Sequence, residues 1–229
     1  METYTLGLAL EDFLPVIFSS AGFWLIATML VRIDAQIGRM AQVGWLLVTI
    51  GGALKAIWKL IMALTNGATD IVFFDKSLFV WLSIGFILLS YAISYAWRIL
   101  YDNNPRTRIW LWPAIVIALN FGGALATGFP DASISTWRFI YLGMMTIGNV
   151  VIAAMLIAQA RRQGQMSVAV LFALNIIVVF ALSGMARIPD QTIALQWTEQ
   201  ILNTIGQAAF LYAAYMLTTE LNEQHAALA

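Results

Sequence analysis

Long apolar segments alternate with short polar segments along the whole chain of 229 residues. Each apolar segment has about 20 residues or more, the length at which an α-helix crosses the hydrocarbon core of a bilayer. The polar segments between them concentrate glycine, proline, asparagine, aspartate and the charged residues, which favour turns. The pattern predicts an all-α membrane protein with seven transmembrane helices, at residues 12–33, 41–64, 78–100, 109–129, 137–160, 166–188 and 194–218.

The composition leads to the same class of protein. Hydrophobic residues make up 61% of the chain, charged residues only 10%, and the mean hydropathy is +0.82. A soluble globular protein carries about 25% charged residues, so the missing charge indicates a surface that faces lipid. The formal net charge is zero and the basic residues form no single patch, which argues against a nucleic-acid partner. The expected partner is the lipid bilayer, and the compact chain favours a bacterial plasma (inner) membrane.

Several kinds of chemistry are excluded by the residues that the chain lacks. It has no cysteine and a single histidine, His225, so neither disulfides nor haem ligation by histidine is expected. No GxSxG, HExxH or Walker motif occurs, and we expect neither an enzyme nor a cofactor. Glu11 and Asp12 could bind a divalent cation together with Asp70 or Asp75, but solvated loop acids are the simpler interpretation. No metal site is therefore predicted.

The basic residues predict the orientation, because cytoplasmic loops retain lysine and arginine. The start of the chain, "METYTLGLALEDFLP", has acids and no basic residue, unlike a signal peptide, so the first helix is expected to be retained. One end of the predicted bundle has few basic residues near it, namely Lys76, Arg138 and Arg187. The N-terminus is predicted outside and the C-terminus inside, because the other end carries Arg32, Arg39, Arg98, Arg106, Arg108, Arg161 and Arg162.

Two parts of the chain repeat each other. The segment "GFWLIATMLVRIDAQIGRMA" from Gly22 matches "GNVVIAAMLIAQARRQGQMS" from Gly148 at one constant offset. Further on, "SIGFILLSYA" in the third predicted helix matches "TIGQAAFLYA" in the seventh. We interpret the chain as one domain, residues 1–229, with a parallel repeat of three helices (12–100), a linker helix (109–129) and three helices again (137–218).

This arrangement of three, one and three helices with the N-terminus outside resembles that of the SWEET sugar transporters, their PQ-loop relatives and the nicotinamide riboside transporters. The resemblance is one of architecture and implies transport of a small solute. The chain has no Pro-Gln dipeptide, so no functional residue is carried over. Microbial rhodopsins share the number and orientation of helices, but the seventh predicted helix has no lysine for a retinal Schiff base.

Polar side chains within the predicted spans are candidates for function, because each costs several kcal/mol in hydrocarbon unless it finds a partner or water. The second predicted helix carries two lysines, and the seventh carries an acid and two amides at a spacing of four residues, on one face. The fourth, fifth and sixth predicted helices each carry an asparagine. We predict a binding site for a small polar or zwitterionic solute where the second helix lies against the seventh, formed by Lys55, Lys59, Glu199, Asn203, Gln207 and Asn175.

Structural interpretations of the same residues stay open. Lys59 could extend its ammonium group to the lipid headgroups, Lys55 and Glu199 could form a salt bridge without a ligand, and the asparagines could join helices. The sequence is consistent with two functions. The first is a transporter or channel for a small polar solute; the second is a non-transporting membrane subunit, an anchor or a ligand-sensing protein that acts through a protein partner or as a homo-oligomer.

Overall fold

A computed structural model describes residues 5–102, 108–131, 136–185, 188–189 and 192–228, with side chains as far as residue 219. Arg106 and Arg187, used above for the orientation, and the side chain of His225 lie outside the described residues. The described part contains α-helices and no strand. Its nine α-helices are α1 (Leu6–Glu11), α2 (Phe13–Ile33), α3 (Ala35–Leu64), α4 (Val72–Lys76), α5 (Leu78–Trp97), α6 (Leu111–Ala126), α7 (Thr136–Arg162), α8 (Met166–Met185) and α9 (Ile193–Leu228).

For the described residues the prediction of an all-helical fold is confirmed, and each of the seven predicted segments overlaps an α-helix. A π-helical turn, Arg98–Asp102, continues α5. The 16-residue helix α6 is apolar but shorter than a membrane requires, and α9, which carries Glu199, Asn203 and Gln207, does not reach the same hydropathy. In the part of the chain that the structure describes, five helical segments are long and apolar enough to cross a membrane: Leu6–Ile33, Ala35–Leu64, Val72–Asp102, Thr136–Arg162 and Met166–Met185.

The structure corrects the loop that was predicted between the first two long helices. The segment "RIDAQIGR" was expected to separate helices ending at residue 33 and beginning at residue 41, but α3 begins at Ala35, directly after Asp34. The Asp34 side chain accepts hydrogen bonds from the backbone N–H groups of Gln36, at 2.8 Å, and Ile37, at 2.9 Å. These bonds satisfy N–H groups that have no partner within the helix. The polar residues of this segment therefore form the first turns of α3.

The tight turn also depends on Gly38. A Cβ atom at Gly38 would lie 2.4 Å from Val31 Cα and 2.7 Å from its backbone nitrogen. We expect Gly38→Ala to lower the free energy of unfolding by about 1–3 kcal/mol, because α2 and α3 must move apart. Gly184→Ala is the matched control, since a Cβ there meets nothing within 4 Å. Thermal unfolding of both variants in detergent tests this, and equal midpoints would contradict the expectation.

The long helices pack as a closed ring. Following the contacts, α2 packs on α3, α3 on α5, α5 on α7, α7 on α8, α8 on α9, and α9 again on α2. Helix α6 lies outside the ring against α7 and α5. The prediction that the second helix lies directly against the seventh is wrong: α3 and α9 do not pack side by side, because α2 packs between them. They face each other across the interior of the ring.

Candidate functional site

A cavity of about 390 Å³, here called the polar cavity, lies inside the ring. All six ring helices contribute to its lining, whereas α6 contributes no residue. It lies toward the end of the bundle where α2, α5 and α9 begin and α3 ends. Its polar lining residues are Asp12, Ser19, Lys55, Lys59, Asn149, Asn175, Glu199, Gln200, Asn203 and Gln207.

The polar cavity contains all of the predicted site residues. Lys55 and Lys59 come from α3, Asn175 from α8, and the remaining three from α9. Successive side chains at a spacing of four residues lie along one helical face, so Glu199, Asn203 and Gln207 form a polar strip along the cavity wall. The structure thus brings the six residues together, and solute binding by them stays a prediction.

The wall formed by α5 is apolar. Leu78, Leu82 and Phe86 line the same cavity at the same spacing of four residues. In the repeat predicted from the sequence these three positions match Glu199, Asn203 and Gln207, so on that prediction equivalent positions carry apolar side chains on one wall and polar side chains on the other. A solute in the polar cavity would meet hydrogen-bonding groups on one side and hydrocarbon on the other.

Lys59 forms a largely buried ion pair with Asp12. Its Nζ atom lies 2.6 Å from Asp12 Oδ2, and the two side chains are only 16% and 11% exposed. Gln200 Nε2 donates a hydrogen bond to the other carboxylate oxygen of Asp12. This carboxylate therefore connects α3 and α9 to the start of α2. The expectation that Asp12 is a solvated loop acid is wrong, because its carboxylate is largely buried between Lys59 of α3 and Gln200 of α9.

The second lysine pairs with a different acid. Lys55 Nζ contacts Asp75 Oδ1, with both side chains 27% exposed, and lies 4.0 Å from the centre of the Trp58 ring. Trp58 Nε1 in turn donates to Asp70 Oδ1 at 2.8 Å. Asp75 thus places a carboxylate against Lys55. Among the described residues, no group of three or more acids or histidines is arranged to hold a metal ion.

Two asparagines join helices, as the structural interpretation predicted. Asn175 Nδ2 donates to the Gly206 carbonyl at 2.9 Å, between α8 and α9. Asn120 Nδ2 donates to Ser83 Oγ at 2.6 Å and ties α6 to the ring. Asn149 and Asn203, by contrast, line the polar cavity and are only half-buried. The asparagines therefore divide into interhelical and cavity-facing groups, and Asn175 belongs to both.

Two polar contacts made by α9 at or beside the site were not predicted. Gln200 and Thr204 form a second polar strip on α9, beside the first, and contact Asp12 and Glu11 respectively. Their spacing of four residues was a visible signal. The cavity floor was harder to predict, because Phe23, Phe86 and Phe210 look like any other apolar residues in the sequence.

Comparison of the chain with protein-family models, with curated proteins and with solved structures finds no match. The resemblance to seven-helix solute transporters therefore depends on the number and order of the helices alone.

Proposed function

We propose that this chain is a membrane transporter for a small zwitterionic solute, which binds in the polar cavity. The observation that carries the proposal is the cavity lining: all six ring helices meet there, and the lining includes two lysines, two acids and several amides. A volume of about 390 Å³ is within the roughly 300–1,000 Å³ typical of small-molecule sites. A solute with both an ammonium and a carboxylate group would find partners for each.

The distribution of side chains over the fold supports the membrane location. Large apolar residues are exposed on the outer faces of the helices, including Leu119, Phe139 and Ile177, each more than 60% exposed. Buried positions include polar residues such as Asn120 and Asn175. Water would favour the reverse distribution, and large exposed apolar surfaces are typical of membrane contact. We extend this to seven spans with the N-terminus outside; a bacterial inner membrane stays a prediction.

The order of helix contacts supports the two-unit repeat. The first unit consists of α2, α3 and α5, and the second of α7, α8 and α9. Exchanging the two units leaves the order of contacts around the ring unchanged. The polar cavity also contains matched positions from both units: Phe23 with Asn149, Ala56 with Leu182, Leu78 with Glu199, Leu82 with Asn203, and Phe86 with Gln207. Such pairs are expected where a pseudo-twofold axis passes through the cavity.

Two matched glycines lie at the contacts between the units. A Cβ at Gly22 would lie 2.6 Å from the Phe210 ring, in the contact of α2 with α9. A Cβ at Gly148 would lie 3.0 Å from Phe86, in the contact of α7 with α5. Small residues at both places let the units approach closely. We propose that solute crosses when one unit rocks against the other at these two contacts.

The test is a binding measurement on the purified protein in detergent. Neutral amino acids, betaines, sugars, simple amines and simple carboxylates are added while thermal unfolding is followed. A bound solute stabilises the folded state, by about 2.7 kcal/mol at a concentration of 100 Kd. We expect saturable stabilisation by a zwitterion, weakened about tenfold or more by Asn203→Leu, because that variant removes a hydrogen-bonding partner from the cavity.

Asn203→Leu gives α9 the residue that α5 carries at the matched position, Leu82. Its control is Thr198→Val, because Thr198 is exposed and its hydroxyl donates to the Ala194 carbonyl of its own helix. The control variant should bind as the wild type does. If no zwitterion stabilises the wild type, or if both variants bind alike, the polar cavity is not a site of this kind.

A further inference from the structure

A second cavity, here called the apolar cavity, has a volume of about 370 Å³ and contains none of the predicted site residues. It lies between α2, α5 and α7, at the end of the bundle opposite the polar cavity. Met29, Met155 and Trp97 are among its lining residues, and Arg32 and Gln159 are its polar ones. The repeat matches Met29 with Met155, so this cavity too receives equivalent residues from both units.

A layer of phenylalanines lies between the two cavities. The Phe23 ring packs 5.7 Å from that of Phe86 and 4.6 Å from that of Phe210, measured between ring centres. All three side chains line the polar cavity, and each is at most 9% exposed. Along α2, Phe23 precedes Met29 of the apolar cavity by six residues, or roughly 9 Å at about 1.5 Å per residue.

Beyond the phenylalanines comes a second layer of aliphatic residues. Ile26, Leu89 and Ile152 are almost completely buried, at 0%, 0% and 1% exposure. Ile26 and Ile152 are matched positions of the repeat, and so are Leu89 and Phe210. The cavities and the layers between them therefore receive matched residues from both units, as expected if all lie along one pseudo-twofold axis.

We propose that the apolar cavity is the second vestibule of the solute path, and that these two layers are the closed barrier between the vestibules. This inference rests on the proposed function. A polar solute loses several kcal/mol of hydration on entering a fully apolar constriction, so the layers block passage until the units rock apart. The apolar cavity offers few hydrogen-bonding groups, so it holds the solute weakly and favours its release.

The chain has no cysteine, so each introduced cysteine is a unique probe. Single-cysteine variants at Leu82 (polar cavity), Met155 (apolar cavity) and Ile152 (barrier) are placed in sealed vesicles of known orientation. A membrane-impermeant cationic thiol reagent is then added to one face at a time. We expect L82C to react from one face only and M155C from the opposite face only. I152C should react at least about 100-fold more slowly from either face.

M29C serves as a second probe of the apolar cavity, in case M155C does not fold, because the two positions match in the repeat. In the F86A background, I152C should react faster from the face that reaches L82C, because the first of the two layers is then open. The inference is overturned if both M155C and M29C are unreactive from either face. It is also overturned if, with Phe86 intact, they react from the same face as L82C.

This experiment needs no known solute, so its failure is distinct from failure of the proposed function. If a zwitterion binds but the apolar cavity is unreactive from both faces, the second vestibule is wrong and the binding site stands. If no solute binds but the reactivities follow the expected pattern, the solute class is wrong and the two vestibules stand.

Discussion

Lys59→Met is expected to lower the free energy of unfolding by about 3–5 kcal/mol, because it leaves one member of a buried ion pair without the other. Asp12 is 11% exposed, and its Oδ2 atom lies 2.6 Å from Lys59 Nζ. Without the ammonium, the carboxylate keeps a hydrogen bond from Gln200 but loses its countercharge. The measurement is the thermal or denaturant-induced unfolding of the purified variant.

Two further variants test this cause. Asp12→Asn combined with Lys59→Met removes both charges while an amide oxygen can still accept from Gln200, so most of the loss should be recovered. Lys55→Met should have a smaller effect than Lys59→Met, because the side chains of Lys55 and Asp75 are both 27% exposed and water can solvate the remaining acid. A double variant as unstable as Lys59→Met alone would show that the ion pair is not the cause.

Gly148→Leu is expected to lower the free energy of unfolding by about 3 kcal/mol or more. A Cβ at this position would lie 3.0 Å from both the Cβ and the carbonyl oxygen of Phe86, and the carbonyl cannot rotate away as a side chain can. A leucine would force α7 away from α5. In the proposed mechanism it would also separate the two units at one of the contacts about which they rock. Unfolding and solute binding are both measured.

Gly143→Leu is the control for this prediction. Gly143 lies on the same helix, five residues earlier, and a Cβ there meets nothing within 4 Å. The same leucine should then change stability little. If the two variants unfold alike, close approach of α7 and α5 at Gly148 does not stabilise the fold.

The positions of the long helices could be predicted from the sequence, because each corresponds to a continuous apolar segment. The errors arose where polar residues belong to helices. Gln36 and Arg39 lie in the first turns of α3, beyond the apolar segment, because Asp34 caps the helix directly after α2 ends. Which helices pack together was also beyond the sequence, because the segments are apolar nearly all round and their faces differ little. That is why α3 was wrongly placed against α9.

The polar residues of the candidate site could be predicted from the sequence, but the residues with which they pair could not. An ionisable group or amide within an apolar segment stands out in the sequence, and a spacing of four residues places such groups on one face. The partner of Lys59 is Asp12, far away in the chain, and only the packing of α2 between α3 and α9 brings them together. The layer of Phe23, Phe86 and Phe210 has no sequence signal at all, because phenylalanine is common throughout the chain.

The most direct test of the central claim is solute uptake into proteoliposomes, using the zwitterion that stabilises the purified protein most. We predict saturable uptake that is abolished by Lys55→Ala and by Glu199→Leu and retained by Thr198→Val. A solute that binds in the polar cavity but never crosses the membrane would contradict it, and would favour a ligand-sensing membrane subunit instead.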